Sequence, residues 1–398
     1  MTRKLLASIS WILSGILLLF LARRWLFTLV ALWPDDGPPA EPVKPESMQD
    51  VLLLAPVRNE SAALPEFLPG LAALDYPAKR LSLVLIDDGS TDGSGELLQA
   101  WVSGAGNRYL LNLAQSQGKA QALNLALNAF PQGELVVVYD ADERPRPDAL
   151  LFLVEAFAPG VGGVSGRRLI ANPLATPAAG YVTFEGLVHQ LVTLRAKDRL
   201  KLAPAILGSN CAYRREALSQ VGNFKSGALL EDSDLTLKFA RTGWQTRFEP
   251  RAISYHPVPG TISGYWQQHT RWARGFSDVA REQASAIIFN KKLPFPLRLE
   301  LLVFSLGYLD RLAVLLGVGL YLLNPGRRPL ACLLPLSLLT PLFQIVVALK
   351  TSRAPLALWI RLSWVPFFFA LDVAMAVTGF WRTVRQSPRI WEERRARG

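Results

Sequence analysis

The sequence predicts an α/β domain built on a mostly parallel sheet and flanked by helices that cross a membrane. Three observations predict it. Short valine- and leucine-rich runs alternate with helical patterns from about residue 50 onward. An unbroken apolar stretch, Leu5 to Ala22, precedes them. Three long apolar segments follow them after about residue 290, and half of all residues are hydrophobic (50%).

In chain order, Leu5 to Ala22 is long enough to cross a bilayer. Arg3 and Lys4 precede it as they would precede a signal peptide, but no small-residue cleavage site follows cleanly, so residues 1–33 read as a retained anchor. Residues 34–49 are rich in proline and acidic residues and read as a stiff linker. The runs VLLLAPV (51–57), LSLVLID (81–87), YLLNL (109–113) and ELVVVYD (134–140) read as buried strands. Between the last two, Ala122, Leu123, Ala126, Leu127 and Phe130 recur at helical spacing. Strands alternating with helices imply a parallel sheet covered on both faces, with ligands bound beyond the carboxyl ends of the strands. Residues 50–285 form this middle domain.

Residues 286–381 read as interfacial and transmembrane helices. Leu297–Leu323, Leu330–Leu349 and Leu356–Trp381 each have the length of a span, and carry Glu300, Asp310 and Arg311, then Pro335 and Pro341, then Arg361 and Asp372. The tail, 382–398, is basic, which by the positive-inside rule places it in the cytoplasm. One N-terminal and three C-terminal spans would put the tail opposite the middle domain, so one C-terminal segment is expected not to cross fully. The formal net charge of +11 suits an anionic membrane surface, a phosphorylated ligand or nucleic acid. Cys211 and Cys332 stand far apart, which excludes a disulfide framework and a zinc signature.

Five stretches carry chemistry: PVRNES (56–61), DDGSTDGS (87–94), DADE (140–143), LLEDSDLTLKFARTG (229–243) and QQHTRWARG (267–275). DDGSTD alone is an ordinary turn. Strand alternation would put Asp140 and Asp142 on one side, where two carboxylates repel unless a cation sits with them. Hard oxygen ligands suit Mg²⁺ or Mn²⁺ together with substrate phosphates, so the pair predicts a metal–diphosphate site. Glu231 and Asp232 open a helix; acids there can merely complement its dipole, as Asp234 can, or supply a general base. Gln268, Arg271 and Trp272 fall on one helical face, where arginine suits a diphosphate and tryptophan a sugar.

Taken together and in this order, the stretches resemble the family 2 glycosyltransferases, in particular the membrane-embedded branch that includes cellulose, hyaluronan and poly-N-acetylglucosamine synthases. The resemblance covers about residues 50–285, through Asp87-Asp88-Gly89, Asp140-Ala141-Asp142, Glu231-Asp232 and Gln268-His269-Thr270-Arg271-Trp272. It implies a GT-A-type, Rossmann-like domain in the cytoplasm, anchored in the inner membrane by several spans. It implies a UDP-sugar donor, with Pro56, Arg58, Glu60, Asp87, Asp88 and Lys119 on the donor side, Asp140 facing the ribose or diphosphate, and Asp142 on the metal. Asp232, beside Glu231, would be the general base. Gln268, Arg271 and Trp272 would hold the diphosphate and border the acceptor, and Gly208, Ser209 and Asn210 would line the acceptor side, with His256 a further contact or simply structural. The expected product is a β-linked polysaccharide, and the alternative is a single sugar added to a ceramide-, polyprenyl- or carotenoid-type lipid. The expected partners are membrane lipids, a lipid or growing-glycan acceptor and, where polymer is made, a small membrane subunit; the intact acidic motifs speak against nucleic acid. Leu230, where polymerising members often carry threonine, and one leading span instead of two set this chain apart from processive synthases.

Overall fold

The structure, a computed structural model, describes residues 2–34, 48–323 and 328–385. Most of the expected linker and basic tail lies outside the described residues. The chain divides into two compact units, each assembled from separate stretches: one from Asp35–Ala171 and Ala203–Pro257, the other from Met1–Pro34, Asn172–Leu202 and Val258–Gly398.

The first of these holds one mixed sheet of eight strands. They are β1 (Val51–Val57), β2 (Leu81–Asp88), β3 (Arg108–Leu113), β4 (Leu135–Val138), β5 (Arg144–Pro145), β6 (Val161–Ile170), β7 (Cys211–Arg214) and β8 (Gln245–His256), in the spatial order β3-β2-β1-β4-β7-β6-β8-β5. β3, β2, β1 and β4 run parallel, which is the half the sequence predicts. β7 reverses direction between β4 and β6. Its helices are α2 (Leu64–Ala72), α3 (Ser94–Val102), α4 (Lys119–Ala129), α5 (Ala149–Glu155), α8 (Arg215–Gln220) and α9 (Glu231–Thr242).

Period-two alternation divides the strand residues between two cores. Val51, Leu53, Ala55 and Val57 pack with Phe67, Leu71, Leu150 and Leu153 on one face. Leu52 and Leu54 pack on the other with Ala122, Leu123, Ala126 and Leu127 of α4, the stripe expected from the sequence. Burying one such leucine contributes roughly 1.5–3 kcal/mol. One boundary differs from expectation. β4 stops at Val138, and Asp140 to Glu143 form a turn closed by the Glu143 N–H donating to the Asp140 carbonyl at 3.0 Å. The two aspartates therefore owe their placement to a turn, not to strand alternation.

The other unit is helical: α1 (Thr2–Ala31), α6 (Pro177–Val188), a π-helical turn (His189–Leu194), α7 (Arg195–Arg199), α10 (Ile262–Ile288), α11 (Phe295–Ser305), α12 (Leu309–Leu323), α13 (Arg328–Thr351), α14 (Leu356–Ile360) and α15 (Val365–Val384). Three stretches, Leu6–Ala31, Pro329–Thr351 and Leu356–Val384, are long and apolar enough to cross a membrane. The expected span Leu297–Leu323 is instead a pair, α11 and α12, bent by 71°. Its charges are paired: Arg23 donates twice to Glu300 at 2.7 Å, and Arg24 reaches Asp310 at 2.7 Å. Lys197, buried beside them, stands 3.2 Å from Glu300.

Replacing Leu53 with alanine, at a fully buried position, is expected to cost about 2–5 kcal/mol. The exposed Leu97→Ala should change stability by no more than about 0.5 kcal/mol. Thermal denaturation of the detergent-purified full chain checks both.

Candidate active site

The carboxyl ends of β1, β2 and β4 deliver their loops to one end of the sheet, since the three strands run parallel and in register. Pro56 is the penultimate residue of β1, opposite Ile86 of β2. Arg58 follows, donating to the Ser116 hydroxyl at 2.8 Å. Ser116 in turn donates to Asp88 at 2.7 Å, and Asp88 also accepts the Gln117 and Gly118 N–H groups at 2.6 and 3.0 Å. Three donors fix the position of this carboxylate. Asp87 accepts the Ser90 N–H at 2.9 Å, while the Glu60 N–H donates to Ser94 at 3.0 Å, tying the first loop to the second. Gly89 makes the turn possible: its φ is +71°, and a Cβ there would stand 2.8 Å from the Ser116 nitrogen.

Lys119, the first residue of α4, is the hub. Its Nζ donates to Asp140 at 2.7 Å and to the Gly208 carbonyl at 2.8 Å, and stands 3.4 Å from Glu231. Burial pulls its pKa down, but Asp140 and Glu231 outweigh burial and raise it above the ordinary lysine value. Asp140 is held from behind by its own N–H, which donates to Ser209 at 2.8 Å. Asn210 anchors the next residue of that loop, donating to the Ala252 carbonyl at 2.9 Å. Asp232 sits in the first turn of α9, where its carboxylate accepts the Ser233 N–H at 2.6 Å. Burial and the adjacent Glu231 push its pKa up to about 6, against the pull of Lys119. Gly208, at φ +72°, leaves room for it: a Cβ would lie 2.9 Å from the Asp232 Oδ2. Asp234, by contrast, pairs with Lys238 one turn on, at 2.8 Å.

The sequence pattern pointed to neither the floor of this site nor its partners. Glu143 is fully buried and accepts from Arg168 at 2.6 Å and from the Ser254 hydroxyl. Arg168 also faces Asp140 at 4.0 Å, and three carboxylates outweigh its burial to hold it firmly charged. The available signal was a pair of arginines in an otherwise small and apolar strand, VGGVSGRRLI.

Asp140 and Asp142 offer only hard oxygen donors, and this donor set fits Mg²⁺ or Mn²⁺. Gln268, Arg271 and Trp272 belong to the helical unit, on α10, where Trp272 packs on His269 with ring centroids 4.8 Å apart. There, ligand atoms of Glu185, His269 and Asp372 lie within 4.8 Å of one another. The His269 Nδ1 faces the Tyr265 carbonyl at 3.0 Å and its Nε2 faces Glu185 at 2.9 Å. An oxygen acceptor at each nitrogen favours the doubly protonated ring. Burial works against that charge, but Glu185 outweighs it and the pKa of His269 is raised.

Arg168→Met strands the Glu143 carboxylate in the interior and is expected to cost about 3–5 kcal/mol. Arg168→Met with Glu143→Leu should recover much of the loss, read as the thermal midpoints of the two variants.

A family model described as glycosyl transferase family group 2 matches residues 135–377. A probable glycosyltransferase, YdaM, of Bacillus subtilis is 27% identical over 272 residues, which are 66% of this chain and 62% of YdaM. A poly-beta-1,6-N-acetyl-D-glucosamine synthase of Staphylococcus epidermidis is 26% identical over 292 residues, 72% of this chain and 66% of that protein. The chain thus spans slightly under two thirds of these relatives. Among solved structures, a mannosyltransferase from Pyrobaculum calidifontis, in complex with GDP-Man and Mn²⁺, superposes with a TM-score of 0.65 at 22% identity, over 96% of this chain and 100% of that one. That likeness bears out the GT-A fold. The family model takes in more than half of the residues, and the chain belongs to glycosyl transferase family group 2.

Proposed function

We propose that the chain is a metal-dependent, inverting glycosyltransferase of a cytoplasmic membrane that moves a sugar from a UDP-sugar to a membrane-associated acceptor, extending a β-linked polymer of the poly-N-acetylglucosamine kind. The observation that carries this reading is Asp232, with its raised pKa, set at a helix start beside Gly208 while Lys119 joins Glu231 to Asp140. The names of the poly-beta-1,6-N-acetyl-D-glucosamine synthases among its relatives support the choice of sugar. The fold neighbour's GDP-Man makes a GDP-sugar the donor to test against it, and its Mn²⁺ supports a divalent cation.

Asp140 and Asp142 would hold the Mg²⁺ or Mn²⁺, which when bound neutralises a donor diphosphate and stabilises the leaving group. The loops of Pro56, Arg58, Glu60, Asp87 and Asp88 would receive the nucleoside. Lys119 supplies fixed positive charge next to the diphosphate, and Gln268, Arg271 and Trp272 would grip it from α10. Gly208, Ser209 and Asn210 would border the acceptor. Asp232 takes the proton of the acceptor hydroxyl as that oxygen attacks the anomeric carbon from the face opposite the leaving group. The configuration inverts, so an α-linked donor yields a β-linked product.

The test is nucleotide release from UDP-sugars and GDP-mannose by the purified full chain with Mg²⁺ or Mn²⁺, followed by sizing of the product. Release from one UDP-sugar with a ladder of polymer is the expected result; a single glycosylated lipid would overturn the polymer, and release only from GDP-mannose would overturn the donor. Asp232→Asn should lower kcat by about 10²–10⁴-fold without loss of fold. Because the base works only when deprotonated, wild-type activity should fall as pH drops through about 6. Lys119→Met removes the charge that holds this pKa down and should move the acid limb to higher pH. Gly208→Ala, pressing on Asp232, should lower kcat by about tenfold or more with little change in the KM of the donor.

A further inference from the structure

Three or four apolar segments compete to be spans, and contacts within the helical unit decide among them. Leu5 to Ala22 of α1 carries no charge, and at about 1.5 Å per residue it roughly matches the hydrocarbon thickness. The charges begin at Arg23 and Arg24, where α1 meets Glu300 and Asp310. This belt lies toward the end of α1, where Trp25 and Trp33 stand exposed as interfacial tryptophans do. α13 runs parallel to α1: Leu330 and Leu334 lie with Leu13 and Leu17, Phe343 stacks on Trp25 at 5.1 Å, and Val347 and Ala348 lie with Val30 and Ala31. α12 runs the other way, from Asp310 at Arg24 to Gly317 against Leu17. α1, α12 and α13 therefore traverse the same depth in the sense down, up, down.

α15 does not join them. Its Phe369 lines a small cavity with Leu17, Leu21, Arg24, Asp310 and Arg311, next to the charged belt. From there it keeps contact with α12 and follows α10 more extensively. Phe368 packs on Tyr265 with ring centroids 5.3 Å apart, Asp372 accepts from the Tyr265 hydroxyl, and Gly379 faces Ala273 and Arg274. Over that stretch and beyond, α10 carries Arg271, Arg274, Asp278, Arg281 and Glu282. Those charges exclude α10 from hydrocarbon, and a helix packed along it shares its depth. The free face of α15 and α14 is nonetheless apolar: Leu356, Ile360, Trp364, Phe367, Val377 and Trp381 are exposed at helical spacing. An apolar face on a helix held at headgroup level, with tryptophans toward both ends, suits the acyl–headgroup boundary.

We infer that α14 and α15 lie in the membrane interface without crossing, that α1, α12 and α13 are the spans, and that the C-terminus stands on the side where α1 ends. The occupant of the apolar face is the lipid of that leaflet. Arg382 and Arg385 then lie on the side where α1 ends and the chain runs on toward the sheet, which resolves the parity conflict in the sequence. This inference does not depend on the proposed reaction.

The experiment is labelling of full-length variants with one introduced cysteine, in a Cys332→Ser background whose remaining Cys211 is buried, with a membrane-impermeant maleimide in sealed vesicles of known orientation. Thr351→Cys and Arg385→Cys should label from the same side and Leu323→Cys from the opposite one. Labelling of Arg385→Cys together with Leu323→Cys would overturn the inference, because α15 would then cross. Labelling of Thr351→Cys together with Leu323→Cys would overturn it equally, because α13 would not. A green fluorescent protein fused after Gly398 gives a second reading without substitutions: fluorescence is expected if the C-terminus shares the cytoplasmic side, and its absence from a membrane-inserted fusion overturns the assignment.

Discussion

The catalytic unit depends on one ammonium group. Asp140 and Glu231 come from two different elements, a turn after β4 and the start of α9, and Lys119 of α4 is in contact with both. Carboxylates brought together without a counter-charge drive one another's pKa upward until one of them takes a proton. Lys119 supplies that counter-charge, and the loop at Gly208 is drawn in as well, because the same nitrogen bonds its carbonyl. A second cation, Arg168, does the same work underneath through Glu143. The site is thus a layered arrangement of alternating charge.

The helical unit solves a related problem with different means. Arginines on α1 meet carboxylates on α11 and α12, and Gln344 of α13 completes the group by donating to Thr28 at 3.0 Å. Buried ion pairs of this kind add little net stability, but removing one member is costly, so they specify which helices neighbour one another. Apolar helices in a bilayer have weak preferences among partners, and a few matched charges supply the missing register.

Much of this could be read in the sequence, for identifiable reasons. The parallel half of the sheet announced itself because strands buried on both faces must be continuously apolar, as Leu52 to Val57 and Leu135 to Val138 are. The stripe on α4 was legible because 3.6-residue periodicity survives in its alanines and leucines. β7 and β5 were not, being four and two residues long with no periodicity to detect. The acidic motifs stood out by their order, whereas Arg168 and Ser254 reach Glu143 across 25 and 111 residues of chain, and no local pattern encodes that meeting. The break between α11 and α12 hid for the same reason that spans are easy to find: hydropathy measures length in apolar residues and is blind to direction.

The pairing of Arg23 with Glu300 also has a consequence for how the protein is made. The partners are 277 residues apart. At about 5–20 residues per second, on the order of tens of seconds separate the synthesis of the arginine from that of its carboxylate. On the membrane assignment inferred above, α1 rests during that interval with both guanidiniums at the lipid surface, while the residues of the sheet are translated. Anionic headgroups are the natural temporary partners for them. On that assignment, assembly of the helical unit is an exchange, in which Glu300 and Asp310 take over from lipid phosphates as partners of Arg23 and Arg24.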